Sequence, residues 1–218
     1  SILAPVMDRT LAFLQERIPC PVEALEQAMA KAGLTAVGLH LTNVEEAARL
    51  LGRPIRWSVV RVDSERLAVD SRQVDVPVAV VELAKKKIYY HGVATADSLV
   101  ETLGEKFSAP VEPAVVRQTL QLIDGFCWLD ESARWFRLRS VCKHGLPKAV
   151  EKVLSVATEV SIGELRAAVS RNRRMWQEPP PEGVILEYCR QMPEVRIEGG
   201  RVRADPPRNW RKTLTGVE

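Results

Sequence analysis

Pro113-Ala-Val-Val-Arg-Gln-Thr-Leu-Gln-Leu-Ile123, followed by Phe126-Cys-Trp-Leu129, Asp130-Glu131-Ser132 and Trp135-Phe-Arg-Leu138, is the stretch that decides how this chain is built. Val116, Leu120 and Ile123 share one helical face and leave Arg117, Gln118 and Gln121 outward, so Pro113–Ile123 reads as a helix. Two short β-prone runs flank a polar turn behind it, which is a hairpin signal. Working upstream, Thr95 is a cap for Ala96–Leu103, with Leu99 and Leu103 inward. Before it, Val78–Tyr90 fills a first-helix slot. Its tail, Lys85-Lys86-Lys87-Ile88-Tyr89-Tyr90, is basic then aromatic and is compatible with passing into a short strand. Three helices and a ribbon therefore stand in a row.

The same order recurs on either side, at a spacing of roughly 65–75 residues. In the first copy Met7–Arg17 places Met7, Leu11 and Leu14 on one face. A second helix starts near Val22, with Pro21 at its head, where a missing N–H costs nothing. Thr42-Asn-Val-Glu45 has the spacing of a capping box for a third helix over Asn43–Leu51. Ile55–Val62, Asp63-Ser64 and Arg66–Val69 then form the ribbon. In the third copy the slots are Pro147–Val156, a helix capped by Ser161-Ile-Gly-Glu164 with Leu165 and Val169 inward, and Glu182–Gln191. The ribbon there is Val195–Ile197, Glu198-Gly199-Gly200 and Arg201–Ala204.

Three helices closed by a hairpin are the winged-helix plan, a variant of the helix-turn-helix. The expected class is α+β and helix-rich, with three tandem winged-helix modules. Their boundaries are 1–72, 73–140 and 141–206, with a basic C-terminal tail at 207–218. The competing reading is one irregular mixed domain in which the repeats are coincidence. Each unit is near the lower size limit for independent stability, so the copies are expected to pack on one another.

The last two copies resemble bacterial tandem winged-helix proteins described as sigma-factor-region-4-like helix-turn-helix DNA-binding proteins. The likeness rests on Trp128-Leu-Asp-Glu-Ser-Ala-Arg-Trp-Phe136, Lys152-Val-Leu-Ser-Val-Ala157, Val160-Ser-Ile-Gly-Glu-Leu-Arg166 and Pro179–Arg190. It covers about residues 75–205 and implies a DNA- or transcription-associated role. A further DNA-binding module usually accompanies the repeats in that group, and these residues show no convincing copy of it.

Charge narrows where a polyanion would be met. The formal net charge is only +3. Residues 1–70 carry 8 Lys/Arg against 9 Asp/Glu, residues 71–140 carry 9 against 9, and residues 141–218 carry 14 against 10. Electrostatic affinity for phosphate therefore belongs to the last third. A winged helix reads DNA with its third helix, which needs outward Arg, Lys, Asn or Gln. Arg117, Gln118 and Gln121 meet that need. The first third helix offers Asn43 and Arg49 beside Glu45 and Glu46, and the last mixes Arg190 and Gln191 with Glu182 and Glu187.

The densest basic run is Arg171-Asn-Arg-Arg-Met-Trp176, where Arg171, Arg173 and Arg174 would clamp phosphates and Trp176 would stack on a base or sugar. Arg201 and Arg203 on the last ribbon, with Arg211 and Lys212 in the tail, extend that surface. The plainer reading is a solvated loop whose Trp packs back on the core, stiffened by Pro179-Pro180-Pro181. The acidic outward faces, above all Glu45 and Glu46, raise a different possibility: winged helices used as docking modules in a protein scaffold.

Chemistry of the catalytic kind finds no foothold. His40, His91 and His144 are scattered, and each reads as a loop or surface residue. Cys20, Cys127, Cys142 and Cys189 form no C-x-x-C pair and read as small buried hydrophobes in a reducing compartment. Asp130-Glu131 sits in a predicted turn. No phosphate-binding glycine loop is present. The expectation is a protein that is not an enzyme and holds no cofactor or metal. Its partner would be DNA, with RNA as the alternative and a protein partner through the first module. The longest apolar stretches, such as Val76–Leu83, are too short to span a bilayer, so no membrane role is expected. The location implied is cytoplasmic, on the nucleoid if DNA is the partner. Ser1 in place of Met suggests a trimmed or processed chain.

Overall fold

Every helix slot inferred from apolar spacing is helical in the computed structural model, which describes residues 3–36, 38–130, 132, 134–141, 145–171 and 178–205. The first copy runs α1 (Leu3–Gln15), β1 (Cys20–Pro21), α2 (Val22–Lys31), α3 (Leu41–Leu50), β2 (Trp57–Val62) and β3 (Glu65–Asp70). The second runs α4 (Val76–His91), β4 (Ala94–Thr95), α5 (Ala96–Phe107), α6 (Pro113–Leu122), β5 (Phe126–Trp128) and β6 (Trp135–Leu138). The third runs α7 (Gly145–Val156), β7 (Glu159–Ser161), α8 (Ile162–Ser170), α9 (Glu182–Arg190), β8 (Val195–Glu198) and β9 (Arg201–Ala204). About 54% of the described residues are helical, and the strands make three small antiparallel sheets, so the α+β, helix-rich class holds. Among the described residues no helix is long and apolar enough to cross a membrane.

The three sheets share one topology. Their orders are β1-β3-β2, β4-β6-β5 and β7-β9-β8, so the last strand of each copy lies in the middle. The outer strands β1, β4 and β7 escaped the sequence pattern because they are two or three residues long and run straight into a helix. Their register makes positions comparable between copies. The residue just before the second helix pairs with Leu67 in the first sheet, Trp135 in the second and Arg201 in the third. Two ribbons turn through two residues each, Asp63-Ser64 and Gly199-Gly200. Gly199 and Gly200 have φ of 57° and 75°, as a type I′ turn demands, which is why glycine occupies both.

The described residues of Ser1–Glu82 and Leu99–Asp124 form one compact unit, and those of Leu83–Ser98 and Gly125–Glu218 another. Copies follow chain topology, whereas these units group the residues that touch, and the middle copy is shared between them. In the first unit Leu14, Leu25, Met29 and Leu41 are fully buried with Trp57 and Ala68. In the second, Leu146, Val150, Leu154 and Leu165 pack with Ile185, Tyr188 and Val202. Each such side chain contributes about 1.5–3 kcal/mol by leaving water.

The caps divide. Ser161 and Glu164 form the expected capping box on α8, and the Ser98 N–H donates to Thr95 Oγ1 at the head of α5. Thr42 does not cap. Helix α3 begins earlier, behind His40, and Glu26 Oε1 reaches from α2 to accept the Leu41 N–H at 2.7 Å. Glu45, the intended box partner, instead accepts from Trp57 Nε1 at 3.0 Å. Lys85–Tyr90 does not become a strand, for α4 continues through to His91.

Candidate functional site

Alternate side chains of a strand face opposite sides of its sheet. On β3, Ala68 joins the core beneath it, while Leu67 and Val69 point the other way and are equally buried. Besides α2 of its own copy, α6 of the following copy lies against this strand. Both ends of α6 are also tied there. Asp63 Oδ2, in the ribbon turn, accepts the Asp124 N–H at 2.9 Å, and Gln73 Oε1 accepts the Glu112 N–H at 3.4 Å.

The second unit repeats the arrangement one copy later. Trp135 of β6 is buried with Val184, Ile185, Tyr188 and Cys189 of α9. The Arg137 guanidinium sits 4.5 Å over the Tyr188 ring, a cation–π contact, and Gln191 Nε2 donates to Cys127 Sγ at 3.4 Å. Burial pushes the Tyr188 phenol up and the Cys189 thiol up to about 12, so neither ionises near neutrality. A ribbon therefore lies on the third helix of the next copy in both units.

Two residue pairs mark a covered helix. Val115 and Thr119 on α6 are buried beside the core pair Val116 and Leu120, and Val184 and Tyr188 on α9 are buried beside Ile185 and Cys189. On α3 the core positions are Val44 and Ala48, and the adjacent stripe holds exposed Asn43 and half-buried Ala47. This doubled apolar stripe is the signal that a reading for a single amphipathic face passes over.

The expected reader residues fall as follows. Arg117 and Gln118 are half-buried on α6, with Arg117 engaged in an interaction, and Gln121 is exposed. Arg171 is exposed at the C-cap of α8. Arg201 and Arg203 lie on the outer face of the third sheet, bonded to Glu159 and Glu198 at 2.8 Å each, while neighbouring Arg196 pairs with Asp205 at 2.7 Å. Arg173, Arg174, Trp176, Arg211 and Lys212 lie outside the described residues, as do Cys142 and His144. Arg117, Gln118 and Gln121 belong to the first unit, and Arg171, Arg201 and Arg203 to the second.

On α9 the outward residues Gly183, Leu186, Glu187 and Arg190 wall a groove of about 710 Å³, opposite Trp128, Asp130, Ser132 and Arg134. Its charges are satisfied internally. Arg190 pairs with Glu187, Arg134 pairs with Asp97 and Glu178, and Asp130 accepts the Arg134 and Trp135 N–H groups. Asp130 thus serves the turn. On α3, Glu45 is held by Trp57 and Glu46 by Arg49, leaving a mixed polar face beside Leu50, which is 78% exposed.

His40 is exposed near Glu26. His91 closes α4 half-buried, so it is not the surface residue expected, and desolvation followed by the Lys87 charge lowers its pKa. Cys189 is buried as expected, but Cys20 and Cys127 are only partly so. Among the described residues no three His, Cys, Asp or Glu side chains gather as metal ligands would. Comparison with known proteins finds no family model that matches the chain and no curated protein that matches it.

Proposed function

We propose that this chain is a tandem winged-helix protein acting as a non-catalytic interaction scaffold. Each copy has the helix–strand–helix–helix–ribbon order and the middle-strand topology of a winged helix. The observation that carries the scaffold reading is the placement of one copy's ribbon on the next copy's third helix. A helix that enters the major groove, about 12 Å wide, must project from its domain. On α9 that face is instead one wall of a concave groove, and on the third sheet Arg196, Arg201 and Arg203 are matched by three acids. Two of the ribbons and two of the third helices here serve protein packing, and grooves of this kind suit peptide segments.

The test is a titration of the full chain with labelled duplex and single-stranded oligonucleotides in low salt, read by anisotropy. The scaffold reading expects weak binding at most, with little change as salt varies. Tight binding that weakens steeply with salt overturns it, because that slope counts phosphate contacts.

A second reading is nucleic-acid binding, and its specific support is the net +4 of residues 141–218 together with exposed Arg171 at the head of the Arg171–Trp176 run. Under it, changing Arg171, Arg173 and Arg174 together to Ala weakens binding and flattens its salt dependence. An unchanged slope removes that placement.

A further inference from the structure

Helix α7 carries two apolar stripes, one at the centre of its core and one at its margin. Leu146, Val150 and Leu154 form its fully covered stripe. A second stripe, Ala149, Val153, Val156 and Ala157, spaced at i, i+4, i+7 and i+8, lines a groove of about 620 Å³ whose other wall is Ala168 and Val169 of α8. Ala149, Val153 and Ala157 are half-buried against the core of their own copy, and Val156 is 80% exposed. An aliphatic groove with an exposed valine on its wall suits the receiving half of a helix-in-groove contact.

The rim supplies the sign of the partner. Lys152 and Arg171 line the groove, and Lys148 stands one turn before Lys152; all three are exposed. None of them is in an ion pair among the described residues, whereas the arginines of the neighbouring sheet all are. The nearby acids are taken. Glu151 has an interaction of its own, Glu164 is held in the α8 cap, and Glu159 pairs with Arg201.

We propose that this groove docks an acidic amphipathic helix of a partner protein, its apolar residues at i, i+3, i+4 and i+7 on the aliphatic floor and its carboxylates on the three cations. The inference rests on the scaffold reading and names the partner's chemistry. A nucleic acid fits less well. Among the described residues that line it there is no aromatic ring on which a base would stack, and no Asn or Gln to read a base edge.

The test uses the full chain and a fluorescent designed peptide with leucines at those four spacings and glutamates between. Three controls accompany it: a scramble of the same composition, a version with Lys for Glu, and single-stranded and duplex oligonucleotides. Only the acidic amphipathic peptide binds, and the scramble binds at least about tenfold more weakly. Lys152→Glu combined with Arg171→Glu, and separately Val156→Asp, each cost about tenfold or more in affinity. These positions are exposed, so circular dichroism stays unchanged. Equal binding of the scramble or the Lys version overturns the proposal, as does indifference to the variants. Oligonucleotide binding abolished by the charge reversal also overturns it and makes this a phosphate face. If neither peptide nor oligonucleotide binds, the groove proposal falls and the scaffold reading stands.

Discussion

Leu67, Trp135 and Arg201 hold the same register position in three sheets of one topology, and truncating each to Ala asks whether the ribbon faces are covered as described. Leu67 is 0% exposed, Trp135 is 3% exposed and Arg201 stands in solvent beside Glu159. Leu67→Ala removes buried methyl groups and leaves a cavity between β3 and its cover, which costs about 3–5 kcal/mol. Trp135→Ala falls in the same range of about 3–5 kcal/mol. Arg201→Ala gives up only an exposed ion pair and costs about 0–1 kcal/mol. For a chain of this size a loss of 3–5 kcal/mol lowers Tm by about 6–20 °C. Thermal and urea unfolding followed by two probes would measure this, since a chain with two compact units need not melt as one. If Leu67→Ala lies within about 1 kcal/mol of Arg201→Ala, the outer face of β3 is not packed, and the ribbon-on-helix arrangement fails with it.

Ser161→Ala removes a side-chain cap and destabilises by about 1 kcal/mol in urea unfolding. The hydrogen bonds from Ser161 hold the Glu164 pKa below its ordinary value, so that carboxylate's contribution is present at neutral pH and lost as pH falls through its folded pKa. Asp70 behaves alike. The Arg72 side chain, then the Arg72 backbone N–H, lower it from 3.8 to about 2, so its stabilisation is complete above the ordinary value and vanishes as pH drops through about 2. Asp70→Asn should remove that part of the acid slope in a pH series of unfolding curves. Glu45→Ala strands the indole N–H of Trp57, which is 5% exposed, and costs about 1–3 kcal/mol, whereas Glu45→Gln keeps an acceptor and costs less. With a thiol reagent on the native chain, Cys127 reacts and Cys189 does not until the protein unfolds; mass spectrometry of the labelled peptides distinguishes them.

Local chemistry was legible where it is written in consecutive residues. The apolar spacing of Val116, Leu120 and Ile123, the Ser161–Glu164 box and the Gly199-Gly200 turn each specify an element without help from the rest of the chain. What one sequence hides is which second neighbour an element meets. Val115 and Thr119 lie beside the face set by Val116 and Leu120, and they form a second buried stripe. Thr42 had the composition of a cap and lost its role to Glu26, a residue from another helix. Arg201 and Arg203 read as free cations because their partners Glu159 and Glu198 come into reach only when the sheet forms.

The outward positions of the middle strands change character along the chain, from Leu67 and Val69, to Trp135 and Arg137, to Arg201 and Arg203. That gradient forbids shuffling. Exchanging β3 for β9 would press guanidinium groups into an unwetted seam and leave two aliphatic side chains naked at the other place, so the modules are interchangeable in outline but not in sequence order.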